Sequence, residues 1–536
     1  MDERARSLGV VTEGSFAAGL TVRLTPDSPT ESLRVGSFVV LEGENNRYFS
    51  LITDLRLRMT DAGLAASPPE RQSAFLRRVL AGSHTYATAE VRPDLMLENV
   101  HDITDTARPG PVRNIPMHFA EMRLARPEDF DLVFGSESQT RFALGSPPAM
   151  DIRVPLDLEE FVTRSNGIFG QSGTGKSVLT RLLLFGIMKS RTASVLLFDM
   201  HGEYARRPVG SPELAGLVDL LGSSRIREYS LDPTMASGMS LQIGLNQIEP
   251  EDIELLAGEL NLTGTFGATT HQLWSKFHQK WLATLLQMDM EEVKEFCAET
   301  GTHEGALAAL KQKLAVLERK EYLLRNAETR AIDDILVHLQ KGEHVILTFG
   351  RYQSLIDYML VANIVTRRIH QRYTDQVLRY EGSGGHGEEP RRLLVVLEEA
   401  HKFLAPEAAR QSIFGTIARE MRKYAVTLLV VDQRPSGIDP EVLSQLGTRI
   451  TGLLTDSQDI DAVLTGAADR SRMRGLLASL RPRQECLILG HAIPMPIVLR
   501  TRDYNYDELM AEARAAGIGS PNGRASLRLL NDEDDE

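Results

Sequence analysis

The residues Gly170-Gln171-Ser172-Gly173-Thr174-Gly175-Lys176-Ser177 have the types and spacing that bind a nucleotide's phosphates. In this G-x-x-x-x-G-K-S order, glycines let backbone N–H groups approach phosphate oxygens in conformations a Cβ would block. Lys176 would set a cation near the β- and γ-phosphates, and Ser177 would offer a hydroxyl to Mg²⁺. A helix beginning at the loop would turn its positive end to the same anion. The cofactors predicted are ATP and Mg²⁺.

A second reactive group closes the apolar run Leu393-Leu-Val-Val-Leu as Glu398-Glu399-Ala400-His401. Glu398 would hold the Mg²⁺ hydration shell, and Glu399 would orient and activate water for attack on the γ-phosphate. Asp is the usual residue in the first place, so Glu398 brings a longer reach. His401 has no second His at the spacing of a zinc-protease box.

Other polar residues stand where this chemistry could use them. Asp199, opening Asp199-Met-His-Gly-Glu-Tyr204, would hold a Mg²⁺ water or polarise the attacking water. The alternative for Asp199 is a hydrogen-bonded turn with Gly202 at positive φ. Gln433 follows an apolar run where a γ-phosphate sensor would sit. Arg419 and Arg422 form a basic helix end that would reach a neighbouring subunit's ATP, or else a solvated, salt-bridged face. Arg470, Arg472, Arg474, Arg481 and Arg483 make one basic cluster, and Arg367, Arg368 and Arg372 a second. Each would contact DNA phosphates or pair with neighbouring acids.

These groups need elements to position them. Gly167-Ile-Phe, Ser194 to Asp199, His344 to Phe349, Leu393 to Glu398 and Val426 to Asp432 read as buried strands. Later strands are expected at Arg449, Glu485 and Pro496. Val178 to Lys189 and Tyr358 to Tyr373 read as helices. The chain divides into an all-β N-terminal barrel or sandwich for assembly or docking (1–115) and a connector (116–160). A nucleotide-binding α/β core (161–244 and 341–510) follows, broken by a helical insertion (245–340). The tail is 511–536, and its acidic end, from Asn531, is expected to be disordered. Within the first part, Pro69 to Leu80 is expected as a helix. Leu273, Trp274, Phe277, Trp281, Leu282 and Leu285 recur at helical spacing, as do Leu307, Leu310, Leu314 and Leu317. Both stripes read as a bundle core.

The 536 residues are too many for one core. No apolar run reaches the roughly 18 residues needed to span a bilayer. Cys297 and Cys486 are the only cysteines, far apart, which fits a reducing cytoplasm. With 60 Lys and Arg against 73 Asp and Glu, the net charge is −13. That excludes a surface coated in positive charge, though not a local basic channel.

Taken together, these pieces resemble the HerA-type ATPases of the HerA–FtsK superfamily. The resemblance rests on the β-rich start, the phosphate loop, Asp199-Met-His-Gly-Glu-Tyr, the helical insertion, Leu-Glu-Glu-Ala-His, Ala-Arg-Glu-Met-Arg-Lys-Tyr and Asp-Gln-Arg-Pro-Ser. It implies a RecA-like P-loop core with the helical insertion and a six-stranded N-terminal barrel. It also implies a homo-hexameric ring and ATP-driven translocation on double-stranded DNA, alongside a NurA-type nuclease in DNA end processing or another effector in antiviral defence. By position, Lys176, Glu399, Gln433 and Arg422 look like the family's lysine, catalytic glutamate, sensor and trans-arginine. Arg164 is implied to approach a neighbour's nucleotide too.

Other functions compete. Glu-Glu-Ala-His suggests a DEAH-type helicase, but no Gln-x-x-Gly-Arg-x-Gly-Arg follows. Conjugation and secretion ATPases often carry membrane segments, which are missing here. A ring scaffold locked by ATP needs no water activation, which the Glu398-Glu399 pair would supply.

Overall fold

The computed structural model describes residues 7–518 apart from 27, 29–30, 32, 61–79, 81–83, 99–107, 149, 208–213, 236–237, 263, 265, 327–330, 388, 421–422 and 468. The helix expected over Pro69 to Leu80, apart from Leu80, and the tail beyond Ile518 lie outside the described residues, and so does Arg422.

The first two strands, Gly9–Ser15 and Gly19–Leu24, largely alternate buried with more exposed residues, so they need one packed face, while Phe38–Glu42 and the first half of Arg47–Met59 are buried on both faces. The strands find this cover by closing on themselves. The strand Gly19–Leu24 pairs with Gly9–Ser15, and the order continues through Glu121–Leu124, Phe38–Glu42, Arg47–Met59 and Thr85–Leu97, which pairs back to the first. A closed barrel has no free edge to aggregate. Its interior holds Val11, Val22, Val39, Leu41, Ile52, Val91 and Met122.

The sixth strand, Glu121–Leu124, lies in the stretch read from the sequence as a connector. Four residues are too few to show a period of two. Arg123 anchors it, donating to Glu42 and to the buried Asp129. The same stretch supplies Arg141–Ser146 and Val154–Asp157, which end the large core sheet. Residues 116–160 therefore build both sheets.

Among the described residues, the core sheet has twelve strands. From Met239–Ser240 to Thr448–Thr451 the neighbours run parallel; from there to Val154–Asp157 they run antiparallel. At its centre, Leu393–Glu398 pairs with Val426–Asp432, which pairs with Asn166–Phe169. Each is buried end to end, as parallel strands covered on both faces must be. The helix Lys176–Ser190 that covers them is buried nearly all round. The helix expected over Tyr358 to Tyr373 runs further, from Leu355 to Gly382, because the side chain of Ser354 caps its start and nothing stops it before the glycines.

Of the helical stripes of residues 245–340, Leu273, Trp281, Leu282, Leu285, Leu307, Leu310, Leu314 and Leu317 are in the core, while Trp274 and Phe277 pack against it half-buried. Arg367 holds this block to the long helix. It donates to Asp252 and the Gln247 carbonyl and pairs with Glu249. Arg367 is therefore not a free DNA contact, and only Arg372 of its cluster is exposed.

The larger basic cluster also separates once its partners are seen. Arg472 makes two 2.7 Å hydrogen bonds to the Asp94 carboxylate on the barrel, with 6% of its side chain exposed. Asp469, just before the helix Arg470–Ala478, returns the exchange by pairing with Arg92 of the barrel. Arg474 pairs with Asp461 at the surface, Arg481 lies 4.0 Å from Glu485, and Arg483 sits on the phosphate loop. Four of the five arginines thus point to four different places, and the fifth, Arg470, is exposed. Among the described residues, no helix is long and apolar enough to cross a membrane.

The crossed pairs make a stability prediction. Arg472→Ala leaves the sheltered Asp94 carboxylate without its partner, so the chain should lose about 3 kcal/mol. Arg474→Ala, which opens only a surface pair, should cost no more than about 0.5 kcal/mol. Urea unfolding followed by circular dichroism compares the two; equal midpoints would deny the barrel–core tie.

Candidate functional site

The phosphate loop leaves the strand Asn166–Phe169 and enters the helix Lys176–Ser190. Gly173 and Gly175 take φ of 75° and 90°, which a Cβ would strain. Gly170 is held by backbone bonding to Asp432, and the Thr174 hydroxyl donates to the Gln171 carbonyl at 2.7 Å. A cleft of about 1000 Å³ opens over the loop, lined by Gln171 to Leu179 and, from other elements, by His201, Glu203, Glu398, Glu399, Gln433 and Arg483.

The carboxylates reach this cleft through sheet order. The strand ending in Glu398 is separated from the loop's strand by one intervening strand. Two strand spacings put it about 10 Å to the side, room for a phosphoryl group and a hydrated cation. Register supplies the height: Phe169 is level with Asp432, and Glu398 with Val431.

Glu398 and Glu399 differ sharply. Glu398 is 8% exposed. One carboxylate oxygen accepts from the Tyr204 hydroxyl, and the other is buried with no partner. Burial pushes its carboxyl up to about 8; the Tyr204 hydrogen bond opposes that, Asp199 and Glu203 add to it, and Lys176 resists it. A buried acceptor without a donor is costly, typically about 1–3 kcal/mol. A cation would relieve it, so Glu398 Oε2 and the Ser177 hydroxyl at the helix start fit a Mg²⁺ position. Glu399 is more exposed and takes a left-handed φ of 45°, which turns it out of the strand line. Strained backbone of this kind concentrates at functional sites. The Gln433 amide donates to Glu399 at 2.8 Å.

Lys176 lies in the same cleft. Burial lowers its ammonium, while Glu399, Asp432, Glu398 and Glu203 pull it back up. A cation this crowded by acids suits a site that will receive a polyanion.

Asp199 does not line the cleft. It is fully buried, and both its oxygens are used by backbone: Oδ1 by the N–H of Glu203, Oδ2 by those of Tyr204 and Ala205. It makes the turn, which was the alternative reading, and so delivers Tyr204 to Glu398. Glu203, not Asp199, is the acid of this segment that faces the cleft. Glu203 and Tyr204 are visible in the motif; that the motif aims Tyr204 at a carboxylate 194 residues away is not.

Asp432 anchors the far side. Its oxygens accept from the N–H groups of His401 and Arg434, and His401 Nδ1 lies 3.0 Å away. Burial alone would raise this carboxyl, but the His401 and backbone hydrogen bonds outweigh it and hold it low. Glu399, His401 and Asp432 thus gather their ligand-type atoms within 4.8 Å, with Asp432 fully engaged in fixing the loop that carries Glu399.

Neither Arg164 nor Arg419 lines this chain's own cleft. Arg164 packs against Gly447. Arg419 donates to the Ala409 carbonyl and lies 3.7 Å from Glu441.

Residues 142–369 match the family described as Helicase HerA, central domain, and residues 8–106 match the HAS barrel domain. The DNA double-strand break repair helicase HerA of Pyrococcus furiosus is 26% identical over 396 residues, covering 69% of this chain and 70% of that one. Its namesake from Saccharolobus solfataricus is 22% identical over 480 residues, 87% of each chain. Among solved structures, a bacterial conjugative coupling protein, TrwB, overlays at TM-score 0.47 and 14% identity, covering 71% of this chain and 92% of that one.

Two substitutions separate the roles of the carboxylates. Glu399→Gln should keep ATP binding and slow hydrolysis about 10²-fold or more, as loss of a positioned base does. Tyr204→Phe frees Glu398 from its one donor and should raise the Mg²⁺ needed for half-maximal turnover about tenfold. Turnover measured across a Mg²⁺ series reads both; an unchanged Mg²⁺ requirement in Tyr204→Phe would remove Glu398 from the cation position.

Proposed function

Because this chain belongs to the HerA-type ATPases of the HerA–FtsK superfamily, with central domain and HAS barrel in one polypeptide, we propose that it is a motor ATPase that hydrolyses ATP to move along double-stranded DNA as a translocase or helicase. One observation carries the hydrolysis: Glu399, aimed by Gln433, shares a cleft with Lys176 and Ser177. A carboxylate left free to take a proton is what a scaffold that only binds ATP would not need.

The roles follow from position. Backbone N–H groups of Gly170 to Ser177 and the Lys176 ammonium bind the β- and γ-phosphates. Ser177 and Glu398 would hold Mg²⁺, which when bound would neutralise charge on the phosphate oxygens. Glu399 takes a proton from the attacking water, and Gln433 keeps its carboxylate turned to the γ-phosphate. The second positive group that phosphoryl transfer needs comes from a neighbouring subunit. Arg422 is the first candidate by sequence, and Arg419 and Arg164 the others, since both lie away from this chain's own cleft.

Action in trans requires a neighbouring subunit, and we propose that a homo-hexameric ring supplies it. Symmetry then multiplies a few cations around the axis, which reconciles DNA binding with a net charge of −13. The relatives named for double-strand break repair support a role in DNA end processing, with a NurA-type nuclease or another effector as partner.

Mixing two inactive chains tests the ring and the chemistry together. Glu399→Gln subunits and Arg422→Ala subunits, each inactive alone, should recover part of the wild-type ATP turnover when mixed, and wild-type turnover should rise on adding duplex DNA. No recovery despite proven subunit exchange would place the arginine in cis. Duplex DNA that neither binds nor stimulates at low salt would leave an ATPase without a DNA track.

A further inference from the structure

The turn that leads from the helix Arg470–Ala478 into the strand Glu485–Gly490 lies against the phosphate loop. Arg483 Nε donates to the Gly173 carbonyl at 2.9 Å. The backbone follows: a Cβ on Gly175 would meet the Arg483 carbonyl oxygen at 3.6 Å and its Cα at 3.7 Å. The other side of the Gly173–Thr174 peptide is held too, because the Thr174 N–H donates to the Gln171 carbonyl at 3.2 Å. In a loop whose N–H groups serve an anion, carbonyls must be satisfied from elsewhere. Arg483 satisfies this one.

Arg483 is not explained by its own surroundings. It is exposed, and among the described residues no carboxylate forms an ion pair with it. Its φ of 64° is one that an ordinary turn would give to glycine or asparagine.

The segment is also tied at its other end. Asp469 and Arg472 form the crossed ion pairs with Arg92 and Asp94 of the barrel. One continuous stretch, Asp469 to Arg483, therefore runs from the barrel to the phosphate loop. Resting on the nucleotide reading of the cleft, we propose that Arg483 is a positioning residue for ATP: it sets the Gly173–Thr174 peptide of the phosphate loop, and the barrel holds it in place through Asp469 and Arg472.

Titration of the full chain with a fluorescent ATP analogue, beside thermal melts and steady-state turnover, tests both halves. Arg483→Gly removes the guanidinium but accepts the left-handed backbone, so its melting temperature should equal or exceed that of the wild type. Its analogue Kd should rise about tenfold, the scale of a lost charge-assisted hydrogen bond, with KM for ATP rising more than kcat falls. Arg483→Lys, which can still donate to the Gly173 carbonyl, should recover part of the affinity. Asp94→Asn, which touches nothing in the cleft, should weaken the analogue several-fold. Wild-type Kd in Arg483→Gly overturns the positioning role, and weakened binding with a lowered melting temperature reassigns Arg483 to folding. An unchanged Kd in Asp94→Asn overturns the part given to the barrel. If wild type and Lys176→Ala bind the analogue alike, the nucleotide reading itself fails.

Discussion

One strand sets the geometry on which the rest depends. Val426–Asp432 stands between the strand that ends in the phosphate loop and the strand that ends in Glu398. Without it the carboxylates would crowd the loop; with two intervening strands they would lose reach. The intervening strand also supplies Asp432 and Gln433 at its tip, so the spacer itself carries groups that fix His401 and aim Glu399. The parallel run explains why all these groups meet at one end: side chains that follow parallel strands emerge together, at the strands' C-terminal edge.

Around that edge the fold accumulates buried acid with few cations. Asp199, Glu398 and Asp432 are buried, and Lys176 is the nearby ammonium. Each acid finds a different remedy. Asp199 takes backbone N–H groups, Asp432 takes N–H groups and an imidazole, and Glu398 takes one phenol and keeps one bare oxygen. Only the unfinished remedy marks a place for a cation. Burial alone does not separate the three; the count of donors does.

What could be read from the sequence was what is local in the chain. The phosphate loop, the carboxylate pair, the buried strands and the helical stripes each announce themselves within a dozen residues, and the fold assembles them as a RecA-like core beside a closed barrel. What could not be read were jobs set by a distant partner. Arg472 looks like a basic-cluster member until Asp94 is seen 378 residues away, and Arg483 until Gly173 is seen 310 residues away. Asp199 carried both readings in its motif, and only the positions of three backbone N–H groups decide between them. The barrel's sixth strand escaped notice because four residues beside prolines show no alternation, while closure of the barrel requires them.

The most direct test of this geometry is the position of the metal and γ-phosphate in the Glu399→Gln chain loaded with ATP and Mn²⁺, located by anomalous scattering in crystals. Mn²⁺ should lie between Ser177 and Glu398, with the γ-phosphate beside Lys176 and the substituted side chain at position 399 facing its far side. Mn²⁺ seated instead among residue 399, His401 and Asp432, or a γ-phosphate out of reach of residue 399, would contradict the division of labour between the two carboxylates.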